Sequence, residues 1–426
     1  MTTAMVTLMI ALLVLGFPMM IPLIAAAMLG FLVYFPMMSP EVMIQQMLRG
    51  VQPQSLIAVP MFILAADIVT KGHAAQRLLD MVMSFCGHMR GGLAITTAAS
   101  CTLFGAVSGS TQATVVAIGG PLRPKLLRAG YTDSFTMALT INASDIAMLI
   151  PPSIAMIVFG VVSGASIGEL FISGLGPGLL ILLLFSIYAW FVAWREGIPT
   201  EPKSTWRQRA LAMRGAIFPL GFPVIVVGGI YGGIFTPTEA ASFAVLYAVL
   251  LEVVIFRSVK ISELPSIALS TGLITAVVFI LVAAGNVFSW TISFAQIPQE
   301  ILAGIGMMDM SVTMILIVIS IAFFIGCMFV DPIVVILVLT PIFMPVVNAA
   351  GIDPVLVGVL VTLQVAIGSA TPPFGCDIFT AIAIFRRPYF DVIRGTPPFI
   401  VILLSVSLLV IFFPGIALFL RDMANL

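Results

Sequence analysis

Two short stretches of tandem proline decide the fold of this chain: Leu-Ile-Pro-Pro-Ser at residues 149–153 and Ala-Thr-Pro-Pro-Phe at residues 370–374. Each stretch lies inside a long apolar segment, the first at about 131–160 and the second at about 354–385. Proline has no backbone N–H and its ring clashes with the preceding helical turn, so neither segment can form one continuous helix. The pattern therefore predicts two broken helices, each with backbone carbonyls released at the break.

The rest of the sequence is too apolar to face water. Hydrophobic residues make up 61% of the 426 residues and charged residues only 8%, whereas a soluble domain carries about 25% charged residues. Uncharged runs of about 20 residues cross a bilayer as helices, whereas a membrane barrel would show short alternating strands. The net charge is +0 without a basic stripe, which argues against nucleic acid as a partner. These features predict an all-α polytopic membrane protein surrounded by the lipid bilayer.

The apolar runs divide into ten candidate spans and two longer stretches, about 91–120 and 312–346. Each longer stretch is interrupted in the middle, at residues 108–112 and 330–332. Three short amphipathic stretches are expected to lie along the membrane interface. The spans are 3–17, 19–35, 54–70, 131–160, 168–194, 216–232, 238–256, 268–290, 354–385 and 396–420, and the amphipathic stretches are 40–51, 74–89 and 297–309.

Loops rich in Lys and Arg give the orientation, because such loops stay in the cytoplasm. With four basic loops placed there, the crossings balance only if the first interrupted stretch enters and leaves on the inner side. The second interrupted stretch must then enter and leave on the outer side. Both stretches become re-entrant hairpins that open to opposite faces, and both chain termini are expected in the periplasm. The basic loops lie at about 123–128, 195–214, 257–260 and 386–394.

The chain also repeats itself at an offset of 221 residues. Gly and Pro positions coincide at this offset more often than 36 Gly and 28 Pro would by chance. One unit in two opposite orientations is the signature of inverted-repeat secondary transporters. We predict inverted repeats at 1–214 and 215–426, each with scaffold helices, a hairpin and a broken helix. The coincident pairs are Gly105 with Gly326, Pro124 with Pro345, Gly130 with Gly351, Pro151 with Pro372, Pro152 with Pro373, Gly174 with Gly395, and Pro177 with Pro398.

The hairpin tips and the helix breaks bring two kinds of polar group into the membrane. Freed carbonyls must face protein, water or an ion rather than lipid, and with nearby hydroxyls they are hard oxygen ligands suited to Na⁺. The N-termini of half-helices carry partial positive charge that suits a carboxylate. This layout favours Na⁺-coupled transport of an organic anion, with Na⁺ as a co-transported ion and no organic cofactor. The alternative is a plain proline kink, which two kinks at matched repeat positions disfavour.

The predicted site consists of residues at the two tips and the two breaks. Asp331 is the most informative, because a carboxylate inside a membrane costs a few kcal/mol unless it is paired or ion-bound. It is either a cation ligand or tip stabiliser, or a helix N-cap. Asp145 and Asp377 face either the site or the interface. The predicted substrate-binding residues are Ser108, Gly109, Ser110, Thr111, Gln112, Asn142, Ser144, Asp145, Thr371, Pro372 and Pro373, and the predicted Na⁺ ligands are Ser108, Ser110, Asn142, Gly326, Asp331, Ser369 and Thr371.

Other polar residues have structural explanations. Thr236 and Glu239 stand in the order of a capping box, with proline at the first helical position between them. Asp67 lies near the end of its span and is expected to be structural. The four cysteines are far apart and show no metal-ligand spacing.

Five motifs carry a resemblance to one transporter family. They are FGAVSGS at 104–110, LIPPS at 149–153, GIFTPTEAA at 233–241, DP at 331–332 followed by LTPIF at 339–343, and TPPFG at 371–375. Over essentially its whole length the chain resembles the large membrane subunit of tripartite ATP-independent periplasmic (TRAP) transporters. The resemblance implies an elevator-type Na⁺ symporter of organic acids in the bacterial inner membrane, similar to the ion-transporter superfamily, and not an enzyme. It also implies two partners, a small four-helix membrane subunit and a periplasmic substrate-binding protein.

Two departures from the family pattern bear on the substrate. Members that look like C4-dicarboxylate carriers usually have small or apolar residues where this chain has Asn-Ala-Ser-Asp at 142–145 and Cys-Asp at 376–377. The chain is more similar to members associated with sialic acid (N-acetylneuraminate), so import of sialic acid is expected, with a C4-dicarboxylate as the alternative. A different class of function is an intramembrane lipid-phosphate enzyme. That chemistry needs Arg, His or Glu at a buried site, and the two hairpins contain no Arg, Lys or His.

Overall fold

The computed structural model describes residues 1–304, 306–307 and 310–424. Every regular element within these ranges is helical. Seven of the described helices are long and apolar enough to cross a membrane, or up to nine if each of two bent pairs forms one span. The predicted all-α membrane fold class is therefore confirmed.

The first half of the chain begins with short apolar helices and ends with one long helix. α6 and α7 form the first hairpin, and α8, α9 and α10 form the first broken helix. A 3₁₀ turn at Gln54–Ile57 precedes α4, and a π-helical turn at Gly30–Tyr34 extends α2. The helices are α1 Thr2–Val14, α2 Met20–Leu29, α3 Glu41–Val51, α4 Ala58–Lys71, α5 Ala74–Cys86, α6 Gly92–Ser108, α7 Thr111–Arg128, α8 Asp133–Ser144, α9 Ile146–Leu149, α10 Ile154–Ser163 and α11 Ile167–Arg195.

The second half contains the second hairpin, α17 and α18, and the second broken helix, α19 and α20. Two outer helices include π-helical segments, Val224–Gly228 between α12 and α13 and Leu250–Ile255 after α14. The helices are α12 Trp206–Pro223, α13 Gly229–Tyr231, α14 Pro237–Val249, α15 Leu264–Phe294, α16 Ile297–Gly304, α17 Val312–Phe329, α18 Pro332–Ala349, α19 Pro354–Ser369, α20 Cys376–Phe385, α21 Tyr389–Ile393, α22 Pro397–Phe412 and α23 Gly415–Ala424.

Helix boundaries repeat at the 221-residue offset that the sequence shows. The second hairpin arms, α7 and α18, each have 18 residues, and their first and last residues are both 221 positions apart. α8 and α19 also begin 221 residues apart, at Asp133 and Pro354. Gly130 and Gly351, which follow the arms, both have positive φ angles. The same local signals therefore start and stop helices at matched positions in the two halves.

The hairpins and the broken helices form the interior of the molecule. Every residue of α8 from Phe135 to Ser144 is buried, and so is every residue of α19 from Val355 to Ser369. A helix that is apolar and buried all round lies inside a larger bundle. The outer helices α12 and α15 instead leave large apolar side chains exposed, among them Leu211, Ile217 and Leu273. These outer faces are suited to lipid.

A buried carboxylate holds two of the outer elements together. Glu252, which is 0% exposed, accepts hydrogen bonds from the N–H groups of His73 and Ala74, each at 3.2 Å. The hydroxyl of Ser258 also donates to it. The two N–H groups belong to the start of α5, where a helix has no partners of its own for its first amides. Glu252 therefore anchors the joint between α4 and α5 with three donors.

One predicted span was wrong and one predicted break is confirmed. The predicted single span at 396–420 is split into α22 and α23, which are bent by 58°, because Pro414 has no N–H with which to continue the helix. The predicted break in 131–160 is present as a bend of 43°. The amphipathic stretch predicted at 297–309 begins as α16, and its residues 305, 308 and 309 lie outside the described residues.

Candidate functional site

The first hairpin turns at Gly109, between α6 and α7. Gly109 has a φ of 60°, in the left-handed region that glycine adopts without strain. Ser110 then caps α7, because its Oγ accepts a hydrogen bond from the N–H of Ala113 at 3.4 Å. Ser108 Oγ lies 3.2 Å from Thr114 Oγ1. The tip is therefore a tight polar turn that carries the N-terminal end of α7.

The second hairpin turns at Val330 and Asp331, between α17 and α18. Asp331 caps α18, with its Oδ1 accepting the N–H of Ile333 at 2.9 Å, and Pro332 takes the first helical position. Ser110 and Asp331 are 221 residues apart and cap equivalent helices. The N-cap reading of Asp331 is therefore confirmed. Its second carboxylate oxygen remains available to a ligand.

The first broken helix supports the first tip. α9 ends at Leu149, Ile150 is extended, the Pro151–Pro152 bond is cis, and α10 begins at Ile154. A Cβ atom added to Gly109 would lie 2.1 Å from the carbonyl oxygen of Pro152. The tip backbone therefore packs directly on the break, at a distance that only glycine allows.

The second broken helix is attached to the second hairpin in a similar way. The N–H of Phe374 donates to the carbonyl of Met328 at 3.1 Å. A Cβ atom added to Gly368 would lie 2.6 Å from the Cβ of Cys327, so α19 packs closely on α17. The Pro372–Pro373 bond is cis. Each hairpin is thus in direct contact with the broken helix that follows it.

Asp377 joins the two halves of the site. Its Oδ1 accepts a hydrogen bond from the hydroxyl of Thr111 at 2.7 Å, and its Oδ2 accepts one from the hydroxyl of Ser369 at 2.8 Å. Asp377 is 0% exposed, and hydrogen bonds to a buried carboxylate are among the strong ones. The first tip and the second break are therefore linked by one side chain.

A cavity of about 490 Å³ lies between the two tips and the outer helices α4 and α15. The tips contribute residues 108–113 and 331–333, and the opposite wall is mostly apolar, with Ile274 and Val278 from α15. Two carboxylates, Asp67 and Asp331, line it. Within the described part of the chain, no Lys, Arg or His lines this cavity. The cavity thus combines negative side chains with the positive N-terminal ends of α7 and α18.

Comparison with known protein families decides the membership of the chain. The model of the family described as tripartite ATP-independent periplasmic transporter, DctM component, matches residues 6–416. The chain belongs to this family. It is therefore the permease of a secondary transporter of an organic substrate in the inner membrane, and not an enzyme. The lipid-phosphate alternative is excluded, and the family resemblance seen in the motifs is confirmed.

Individual relatives differ in the substrates for which they are named. The ectoine TRAP transporter large permease protein TeaC of Halomonas elongata is 68% identical over 100% of both chains. The ectoine/5-hydroxyectoine permease UehC of Ruegeria pomeroyi is 68% identical over 98% of this chain and 97% of its own. The sialic acid permease SiaM of Vibrio cholerae is 34% identical over 96% and 95%.

A solved structure shares the fold of this permease. The YdaH transporter of Alcanivorax borkumensis covers 88% of this chain and 87% of its own with a TM-score of 0.64. The sequence identity is 14%, so this likeness concerns the fold alone.

The predicted site residues of the permease fall into two layers. The first layer lines the cavity, and the second lies behind it, at the breaks, and is buried. Lining residues are Ser108, Gly109, Ser110, Thr111, Gln112 and Asp331, and residues of the buried layer are Asn142, Ser144, Asp145, Ser369 and Thr371.

The remaining predicted site residues lie away from the cavity. A Cβ on Gly326 would contact Val335 at 3.1 Å, inside the second hairpin. Pro372 lines a separate groove beside Phe390. The carbonyl of Pro373 accepts a hydrogen bond from the hydroxyl of Tyr389 at 2.9 Å. The structure thus brings the two tips together but directs the second proline pair to another surface.

Sequence reasoning missed the wall of the cavity that α4 and α15 supply. Asp67, which the sequence suggested was structural, accepts a hydrogen bond from the hydroxyl of Thr271 at 2.7 Å and also lines the cavity. Its position as a lone acid inside an apolar span was the available signal. Ile274 and Val278 carried no signal, because apolar residues in a membrane helix are expected everywhere. The capping box at Glu239 is confirmed, with Thr236 and Glu239 bonding reciprocally.

Replacing Asp331 separates its capping role from a role in ligand binding. Asp331→Ala should lower the stability of the permease in detergent by about 1 kcal/mol, the usual cost of losing an N-cap. Asp331→Asn keeps the cap and should keep the stability. If the free carboxylate oxygen binds a cation, Asp331→Asn should still weaken the Na⁺ dependence of uptake several-fold. Uptake with unchanged Na⁺ dependence in both variants would leave Asp331 as a cap alone.

Proposed function

We propose that this chain is the large permease of a Na⁺-coupled transporter that imports ectoine or 5-hydroxyectoine across the bacterial inner membrane. The observation that carries the substrate is the 68% identity to two relatives named for these compounds, over nearly the whole of each chain. The relative named for sialic acid shares 34%. Ectoine therefore replaces the sialic acid that the sequence motifs suggested.

The chemistry of the cavity supports a zwitterion over an anion. Ectoine joins a cationic amidine ring to a carboxylate. Asp67 and Asp331 line the cavity without a basic side chain among the described residues, so a cationic ring has partners and a purely anionic substrate has none. The carboxylate suits the N-terminal ends of α7 and α18, where unpaired N–H groups and the helix dipole favour negative charge. A C4-dicarboxylate, with two negative charges, fits this cavity poorly.

The coupling ion and the mechanism rest on the tips and breaks. We propose that Na⁺ binds to oxygens of Ser108, Ser110, Asn142, Gly326, Asp331, Ser369 and Thr371. The matched helix boundaries in the two halves support inverted repeats at 1–214 and 215–426, and the basic loops support termini in the periplasm. The cavity lies between the buried inner bundle and the outer helices, as an elevator mechanism requires when the bundle moves along a fixed scaffold.

Two partners complete the proposed system. The family is described as tripartite, so a small four-helix membrane subunit and a periplasmic binding protein are proposed to act with this permease. The binding protein would capture the substrate in the periplasm and deliver it to the cavity.

Uptake in proteoliposomes tests the proposed function. We expect the permease, reconstituted with its small subunit and binding protein, to accumulate radiolabelled ectoine at least about tenfold better with an inward Na⁺ gradient than with K⁺ in its place, since a co-transported ion supplies the driving force. Unlabelled sialic acid and succinate should not compete. Accumulation without a Na⁺ gradient would refute the coupling, and uptake of sialic acid or succinate in preference to ectoine would refute the substrate.

A further inference from the structure

Asp145 is a buried carboxylate without a visible partner. It lies between α8 and α9, one turn before the first tandem proline, and is 1% exposed. Neither of its oxygens has a hydrogen-bond partner among the described residues. The side-chain oxygen of Asn142 also has none there, while its Nδ2 donates to the carbonyl of Ala138 at 2.8 Å. Asn142 and Asp145 are three residues apart, so their side chains lie on one helix face.

The backbone is also altered at this point. The N–H of Asp145 donates to the carbonyl of Asn142 at 3.2 Å, and the N–H of Met148 donates to the carbonyl of Asp145 at 3.1 Å. These bonds span three residues rather than four, so the helix tightens. The carbonyl of Ile141 therefore loses its usual α-helical donor and adds a further oxygen to this face.

The surroundings of Asp145 supply no positive charge. Asp377 is the charged side chain within electrostatic range, and it has its own two hydroxyl donors. The other nearby titratable groups are the thiols of Cys101, Cys327 and Cys376. A buried carboxylate with no donor and no counter-charge is unfavourable by several kcal/mol, so the fold at this position calls for a cation.

The position of Asp145 indicates an ion rather than the organic substrate. Met148, one turn further on, lines the cavity, whereas Asp145 and Asn142 do not. A cyclic solute in the cavity is therefore separated from them, while a small ion can be enclosed between helices. Carboxylate, amide and carbonyl oxygens are the ligands that hard cations prefer.

We propose that Asp145 and Asn142 bind a Na⁺ ion behind the cavity, at a site separate from the ions held at the hairpin tips. The site assigns Asp145 to ion binding and removes it from the substrate-binding set. With this ion bound, the inner bundle carries one more Na⁺ for each substrate molecule that crosses. The transport readout rests on the proposed import of ectoine, whereas the binding readout below does not.

The number of Na⁺ ions carried per substrate tests the site. In the reconstituted system, ²²Na⁺ and labelled ectoine uptake are measured in parallel, and Asp145→Asn should lower the Na⁺-to-ectoine ratio by one ion. Glu252→Gln is the matched control, because it neutralises another fully buried carboxylate that has three donors of its own. This control should keep the wild-type ratio. An unchanged ratio in Asp145→Asn would overturn the proposal.

A second measurement applies if Asp145→Asn takes up no substrate. The thermal stability of the permease alone is followed in detergent as Na⁺ replaces choline, which needs neither ectoine nor the partners. The wild type should be stabilised by Na⁺, Asn142→Ala should need a several-fold higher Na⁺ concentration, and Asp145→Asn should lose part of the effect. Identical Na⁺ titrations in the wild type and both variants would overturn the site, whatever substrate the permease carries.

Discussion

Gly109→Val is expected to lower uptake by at least about 100-fold, the scale on which a displacement of about 1 Å affects a positioned site. The Cβ atom would lie 2.1 Å from the carbonyl oxygen of Pro152, well inside van der Waals contact. Both sides of this contact are backbone, so no side chain can rotate away. The first tip must therefore separate from the break, and the cavity loses the wall to which Ser110 and Thr111 belong.

A matched glycine separates the clash from backbone strain. Gly164 has a φ of 78°, similar to that of Gly109, but a Cβ there would meet no atom within 4 Å. Gly164→Val carries the cost of the left-handed conformation alone, about 1–2 kcal/mol. It should lower the stability but keep most of the uptake. Equal losses of uptake in Gly109→Val and Gly164→Val would show that contact with Pro152 is not the reason.

Asp377→Ala is expected to give the second large effect, because it removes the link between the two halves of the site. The hydroxyls of Thr111 and Ser369 would remain buried without their acceptor, and each hydrogen bond to a charged group contributes about 1.5–3 kcal/mol. Both the thermal stability in detergent and the rate of ectoine uptake should fall strongly. Asp377→Asn keeps an oxygen acceptor at the same position and should fall between Asp377→Ala and the wild type.

A double-mutant cycle identifies the bond that matters. Thr111→Val removes the donor from the first tip without a large change in volume. If the hydrogen bond across the halves is real, Thr111→Val should cost much less in the Asp377→Ala background than in the wild type, with a coupling of about 1–3 kcal/mol. Additive effects of the two substitutions would mean that Asp377 acts through Ser369 alone.

Local chemistry made much of this fold predictable. The breaks follow from proline, the tips from glycine and capping residues, and the equivalence of Ser110 and Asp331 from the 221-residue offset. These signals act within a few residues of where they are written. The missed break at Pro414 belongs to the same kind of signal, since it is a proline in an apolar run that was long enough to be taken for one span.

The parts that were not predicted depend on contacts between distant segments. Nothing in the sequence near Thr111 indicates that its partner is Asp377, 266 residues later. The apolar wall from α4 and α15 has the same composition as any lipid-facing helix. The choice between ectoine and sialic acid lay in the sum of differences over the whole chain, which single motifs do not record.

The separation of Thr111 and Asp377 also sets a schedule for biosynthesis. A ribosome adds roughly 5–20 residues per second, so Asp377 follows Thr111 by on the order of 10 to 50 seconds. During that interval the first hairpin is already in the membrane with its hydroxyl and its positively polarised helix end unpaired. The nascent permease therefore depends on insertion factors or lipid headgroups to shield half a site until the other half emerges, and its cellular yield should be sensitive to the speed of translation.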